Sequence, residues 1–464
     1  MTRRGLGLVA VTLGLATAAG AEAPNPLAEV ARRVRSEALS RTAAFDRLVE
    51  LCDGIGHRLS GSKALEAAVA WAQVRLTSDG HENVRLDPVQ VPHWQRGAES
   101  AELVSPRPMA LAMLGLGGSV GTPPEGVTAE VVVVSDDTAL AALAPDAVKG
   151  KIVLFDHAMP AWTPERGTGY GTAVKYRVVG AVLAAKAGAV ASLIRSVTAH
   201  SLRTPHTGMM RYEDGVPKIP HAALAVEDAA LLARLAKSGH KPVVRLRMEA
   251  RTLEPAPSHN VLAELVGRDL PREIVLLGAH LDSWDVGQGA HDDGAGVVMA
   301  MEALTVLRRL GLRPRRTVRV VLFTNEENGL AGGKAYASMH GTELHVAAIE
   351  TDSGGFAPRG LAVGLPDAAA ERTAVPRLGA WLRAVDPGLG FGAVEARGDG
   401  GGADISPLAK NGVPLFAYLV EESRYFDVHH TAADTVDKVD PTDLARGAAF
   451  LATVAWSFAE SGPP

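Results

Sequence analysis

Residues 274–307 read IVLLGAHLDSWDVGQGAHDDGAGVVMAMEALTVL. The opening run is continuously apolar and short, as expected of a strand buried on both faces. It ends in His280. A Gly-flanked loop holding Asp292 and Asp293 follows, and then 295–310, where Val297, Met301, Leu304 and Leu307 share one helical face. Strand, loop and helix make half of a parallel crossover.

The same alternation continues outward. Segments 261–265, 317–323, 346–349 and 414–420 read as strands, and 377–385 and 441–457 as helices. Strands alternating with helices predict an α/β fold with a mostly parallel sheet and helices on both faces. Upstream, 24–80 reads as helical, broken by a polar turn at 54–63. Segments 84–91 and 130–134 are β-type, with a Gly/Pro-rich stretch at 115–126 between them. A second alternating block follows: strands at 151–155, 191–194, 220–226 and 243–248, helices at 173–187 and 228–236. We therefore divide the chain into a first part at 24–126, an inserted α/β domain at 127–250 and a second part at 251–464, with 254–257 as linker.

The 464 residues are 47% hydrophobic and 21% charged, ordinary values for a packed protein. With 47 basic and 52 acidic side chains the net charge is −5, which argues against a nucleic-acid binder. The one cysteine, Cys52, excludes an intrachain disulfide and cysteine-rich zinc modules; it reads as a small buried apolar residue. Any metal must be held by His, Asp and Glu.

Residues 1–23, MTRRGLGLVAVTLGLATAAGAEA, place two arginines before an apolar stretch and two A-x-A sites. This is the pattern of a bacterial secretory signal peptide at 1–21, expected to be cut after Ala21 or Ala23, and it implies a periplasmic or secreted protein. Arg3-Arg4 also fits twin-arginine export. A retained anchor is the competing reading, but the apolar stretch is short of the about 20 residues of a span. Cleavage after Ala21 leaves 45 basic against 52 acidic residues, a net of −7. No later run is apolar enough to span a membrane.

Polar residues stand where α/β sheets bind ligands, at the carboxyl ends of strands. One strand delivers His280, the next Asn325-Glu326-Glu327, the next Asp352, and the last His429-His430. A lone His or acidic pair is ordinarily structural. Several acceptors buried at one sheet edge are costly without cations. Two divalent metals would supply the charge, and His with carboxylate suits zinc. Asp292 is placed to bridge two ions, with His280 and Asp352 completing one and Glu327 and His430 the other. Asp282, two residues after His280, shares its face in a strand and would accept the second imidazole N–H. Glu326 is the general base for a metal-bridging water.

The strings at 278–296, FTNEENG (323–329), ETDSGG (350–355) and HHTAADT (429–435) resemble the metal motifs of co-catalytic zinc exopeptidases of metallopeptidase family twenty-eight. GHRLSGSKALE, PHWQRGAES, TPHTGMMRYEDGVPKIP and LGLRPRRTVR extend the resemblance over nearly all of the chain after its signal peptide. It implies a peptidase domain interrupted by a protease-associated domain, two zinc ions, a homodimer, and hydrolysis of small peptides, dipeptides above all, with a free amino terminus. It implies the same ligands: His280, bridging Asp292, Glu327, Asp352 and His430. His430 is preferred to His429 because Thr-x-x-Asp-Thr follows it. Asp404, in GGGADISPL, resembles an acid of a substrate-pocket loop, although Ala403 departs from the commoner Ser/Thr before it. An aminopeptidase for longer peptides would use the same ligands. An inactive scaffold with a binding role would lack some of them. His93, His206 and His291 read as structural.

Overall fold

The computed structural model of the protein describes residues 26–464. The signal peptide expected at 1–21 lies outside the described residues.

Two eight-stranded sheets carry the chain. From edge to edge the first runs Glu82–Gln95, Arg251–Leu265, Arg316–Phe323, Leu270–His280, Leu344–Glu350, Leu415–Val420, Pro358–Gly364 and Glu395–Arg397. Its four central strands, from Arg316–Phe323 to Leu415–Val420, are parallel. Antiparallel pairings flank them on both sides. The fold is therefore mixed α/β with a parallel centre.

Alternating side chains divide the central strands between two cores. Val275, Leu277, Val318 and Val320 join a large cluster with the helices Ala295–Arg309 and Pro441–Ser461. Leu276, Val321 and Phe323 join a smaller one with Tyr336, Ile405 and Leu408. Burial on both faces is why these strands read as unbroken apolar runs. The closing helix is started by Asp440, whose carboxylate accepts the N–H groups of Thr442 and Asp443 at 2.7 and 3.0 Å, with Pro441 in the first turn. Cys52 is buried in the large core.

The second sheet orders Met109–Leu111, Glu99–Ser105, Val243–Met248, Val127–Val134, Ile152–Phe155, Ala191–Arg195, His221–Leu224 and Met113–Gly115. Helices Lys175–Lys186 and Val226–Lys237 accompany it. This corrects the expected boundary at 127: the insert begins near Glu99. Glu99–Ser105 pairs antiparallel with Val243–Met248, so the two ends of the insert lie side by side. The stretch at 115–126 is a connection within this unit, with Thr122 N–H donating to the Met248 carbonyl at 2.8 Å. The expected linker at 254–257 is also corrected. It continues the strand Arg251–Leu265, pairing Ala256 with Val91 and Pro257 with Gln90. On its other side this strand is paired only over 261–265, so Pro255 and Pro257 stand where a missing N–H does no harm.

Trp284 fastens the two units. It leaves the loop after His280 and is buried in the core of the second sheet, with Trp94 and Met248. Gly117 permits this, since a Cβ there would lie 2.0 Å from the indole.

Candidate metal centre

The parallel centre brings four strand ends to one edge. Backbone bonds hold them level: Leu281 N–H to the Phe323 carbonyl at 2.7 Å, and Thr351 N–H to that of Gly278 at 2.9 Å. His280, Glu326, Glu327 and Asp352 follow directly. His429 and His430 come from the connection after Leu415–Val420.

The other four expected ligands gather around Asp292. Its Oδ1 lies 3.3 Å from His280 Nε2, which is 3.5 Å from Asp352 Oδ1. Its Oδ2 lies 3.1 Å from His430 Nε2, which is also 3.1 Å from Glu327 Oε2. The two oxygens of one buried aspartate thus face two separate groups. Adjacent His429 approaches Oδ2 at 3.6 Å and stacks on His430 with ring centres 3.5 Å apart.

The donors fit metal better than they fit one another. His280 Nε2, Asp292 Oδ2 and Glu327 Oε1 are buried without a hydrogen-bond partner. Burial pushes Glu327 up to about 7, with the charge of Asp292 adding to it. Burial and the charges of Asp352 and Glu327 hold Glu326 well above the usual carboxylate range. Asp292 goes the other way. Burial opposes its ionisation, but the facing imidazoles of His280 and His430 hold it well below the usual range. The enclosed carboxylates outnumber their cationic partners, and divalent cations would redress that imbalance.

Two expected roles need correction. Asp282 does not take the His280 imidazole on its carboxylate. His280 Nδ1 instead contacts the Asp282 backbone carbonyl at 3.0 Å, the carboxylate lying 3.8 Å away. The chain has left the strand after His280, so strand alternation no longer sets the direction of Asp282. Its carboxylate accepts the N–H groups of Glu326 at 3.0 Å and Glu327 at 3.3 Å. Asp404 does not stand in the wall of the site's cavity. It is 1% exposed, behind Glu350, whose carboxylate accepts the N–H groups of Asp404 and Ile405 at 3.3 and 2.9 Å and draws that loop inward.

Other supporting residues escape a reading of the sequence. Asp293 accepts the His280 N–H at 3.1 Å. Asp434 accepts the N–H groups of His291 and Asp292 at 2.8 and 3.1 Å; it is the Asp of the Thr-x-x-Asp-Thr string, the one signal that pointed to it. Arg58, which stands in GHRLSGSKALE with no role assigned to it, ties down the loop that leads to Asp292. From the insert, Thr207 N–H donates to the His430 carbonyl at 3.0 Å. His430 itself has φ +61°. Of the remaining histidines, His291 contacts the Lys438 carbonyl and stacks on Phe356, a structural role. His206 is buried, and burial pushes it down to about 3, so its ring is neutral.

A cavity of about 470 Å³ opens on the cluster. Asp292, Glu326, Glu327, Asp352 and His430 line it, together with Tyr170, Arg177, Met209 and Arg211 of the insert.

A parallel-centred α/β sheet with this arrangement at its carboxyl edge belongs among the metallo-exopeptidases. More narrowly, the chain is a member of peptidase family M28, whose profile matches residues 260–455, the segment carrying every expected ligand named above. Carboxypeptidase Q of Bos taurus is 43% identical over 423 residues, which cover 91% of this chain and 86% of that protein. The crystal structure of a peptidase M28 precursor from Shewanella amazonensis SB2B is 38% identical and superposes with a TM-score of 0.87, covering 94% of this chain and 97% of that one. A zinc aminopeptidase from Bacillus subtilis, 18% identical, shares the fold with a TM-score of 0.64 over 91% of this chain and 96% of its own.

Proposed function

We propose that this chain is an exported dizinc exopeptidase that hydrolyses dipeptides and other small peptides with a free amino terminus. The observation that carries the reading is Asp292, whose two oxygens face two different sets of donors. His280 and Asp352 would complete one ion and Glu327 and His430 the other. Imidazole and carboxylate without thiolate suit zinc. Two such ions, when bound, would supply Lewis-acid polarisation of the scissile carbonyl and lower the pKa of the attacking water.

The chain's own residues do the rest. Burial raises the proton affinity of Glu326, and Asp282 fixes the backbone it projects from. Glu326 takes the water's proton as the C–O bond forms and returns it to the leaving nitrogen as the C–N bond breaks. The cavity volume, within the roughly 300–1,000 Å³ of small-molecule sites, suits a small peptide.

Export rests on the pattern of residues 1–23, and no helix among the described residues is long and apolar enough to cross a membrane. Export would leave a chain starting at Glu22 or Pro24. The insert is read as a protease-associated domain and the protein as a homodimer, both from the family resemblance; light scattering reads the second directly.

Metal analysis and a peptide panel test the activity. About two zinc ions per chain are expected, with cleavage of free dipeptides and none of their N-acetyl forms. Glu326→Gln should keep both ions and lose about 10²- to 10⁴-fold in kcat. Cleavage of N-acetyl dipeptides, or full activity after chelation, would overturn the reading.

A further inference from the structure

One cation in the cavity wall has no anion of its own. Arg177 lies on the insert helix Lys175–Lys186 and is 8% exposed. It lines the same cavity as Asp292, Glu326 and His430. Nη2 donates to the Tyr170 hydroxyl at 2.6 Å, and the guanidinium carbon sits 5.4 Å from the centre of the Tyr170 ring. Nε is buried without a hydrogen-bond partner, and among the described residues no carboxylate lies within ion-pair distance of Arg177. The backbone is shaped to admit it. Gly208 has φ +137°, and a Cβ there would stand 2.5 Å from Nη1.

A buried charge with no partner is costly in the free protein, and a ligand that brings the opposite charge relieves that cost. The planar guanidinium fork matches a carboxylate, which it binds through two parallel N–H donors. Arg211, exposed on the same wall, adds a second positive charge. The acidic metal cluster lines the same cavity, as does the exposed Lys334. A zwitterionic peptide fits that polarity in one orientation: its amine toward the carboxylates, its carboxylate toward the insert.

We propose that Arg177 receives the C-terminal carboxylate of the substrate and so determines specificity for peptides that end one residue past the scissile bond. The inference rests on the exopeptidase reading above and adds to it that the insert measures substrate length. A tripeptide would place an amide where the carboxylate belongs and would carry its charge too far into the wall.

The test uses the zinc-loaded enzyme with three substrates: a dipeptide, its C-terminal amide, and a tripeptide that extends it. The wild-type protein should favour the free dipeptide over the amide by about 10- to 100-fold in kcat/KM. Arg177→Met should lose a similar factor on the dipeptide, chiefly through KM, and stay within about twofold on the amide. Arg177→Lys should fall between. The amide is the folding control, because a misfolded variant loses activity on both substrates. The wild-type comparison needs no variant at all. Indifference of the wild-type enzyme to amidation would overturn the proposal. So would an equal loss on both substrates by an Arg177→Met protein of native zinc content and circular dichroism, which would make Arg177 a counter-ion of the acidic cluster. The N-acetyl arm and the zinc count report on the exopeptidase reading separately, so either can fail while the other stands.

Discussion

The carboxylate of Asp282 accepts the backbone N–H of Glu326 on Oδ1 at 3.0 Å and that of Glu327 on Oδ2 at 3.3 Å. One fully buried acid therefore sets the backbone from which both the proposed base and a proposed metal ligand project. Burial raises the pKa of Asp282, and the charge of His280 with these two N–H donors opposes the rise. Its influence on the chemistry runs through the peptide backbone, with the imidazole contact secondary.

Asp282→Asn separates these roles. An asparagine amide keeps one acceptor oxygen and turns an NH₂ group toward the second N–H, so one of the two backbone bonds is lost. Kcat should fall about 10- to 100-fold, the usual effect of losing a partner behind a metal ligand. KM should change little, since no substrate contact is removed. Steady-state kinetics with zinc analysis check this. A variant with wild-type kcat would show that the Glu326–Glu327 backbone holds without Asp282.

The sharing of Asp292 makes a prediction about metal count. Asp292→Ala should lose both ions. His280→Ala and His430→Ala should each lose about one, at the zinc levels that saturate the wild type. His429→Ala should retain both, because His429 stands farther from Asp292 and has no contact with Glu327 comparable to that of His430. Elemental analysis after dialysis reads all four. Retention by the His430 variant with loss by the His429 variant would reverse the assignment.

That the expected ligands would meet was legible because each strand is an apolar run that ends in a polar residue, a local signal, and parallel strands end at one edge. What the sequence hid depends on distant partners. The insert begins near Glu99 because Ser100 pairs with Arg247, far along the chain, and seven residues of weak alternation do not announce that. The role of Asp282 depends on where the strand stops. The string singles out His430 over His429 only through the Thr-x-x-Asp-Thr that follows it, and in the structure His430 stands half an ångström nearer Asp292. Arg177 is a single arginine in an unremarkable string, and Arg58 stands in GHRLSGSKALE with no role assigned to it; only tertiary packing shows Arg58 surrounded by carbonyls and Arg177 lining the cavity.

His81 predicts acid sensitivity away from the site. Its side chain is buried, Nε2 contacts the Thr305 hydroxyl at 3.0 Å, and Nδ1 has no partner. Burial, with the cations Arg47 and Arg308 nearby, pushes it down to about 4. In the unfolded chain it titrates near 6.5. Below pH 6.5 the unfolded state therefore binds a proton that the native state refuses, so stability falls as pH drops from 6.5 toward 4. The loss from this group is at most about 3 kcal/mol. His81→Gln should flatten that slope. Urea midpoints at pH 7 and 4.5 for both proteins measure it, and metal release on acidification is common to the two. Equal slopes would remove His81 as a cause.

Arg58 should be the residue whose loss is felt most widely. It is fully buried, and its guanidinium donates to the carbonyls of Leu281 at 2.8 Å, Gln288 at 2.7 Å, Gly289 at 3.0 Å and Gly56 at 2.8 Å. Three of these acceptors belong to the loop between His280 and Asp292, so one side chain fixes the span that separates two ligands. Lysine keeps the charge but offers a single nitrogen, which cannot serve carbonyls spread around a planar fork. Arg58→Lys leaves buried acceptors unpaired and should cost about 3–5 kcal/mol. The loop that delivers Asp292 loosens with it, so zinc affinity should fall together with the melting temperature. Thermal unfolding and zinc titration of the same sample separate the two effects. A variant that melts lower yet binds zinc as the wild type does would show that Arg58 stabilises the fold without positioning Asp292.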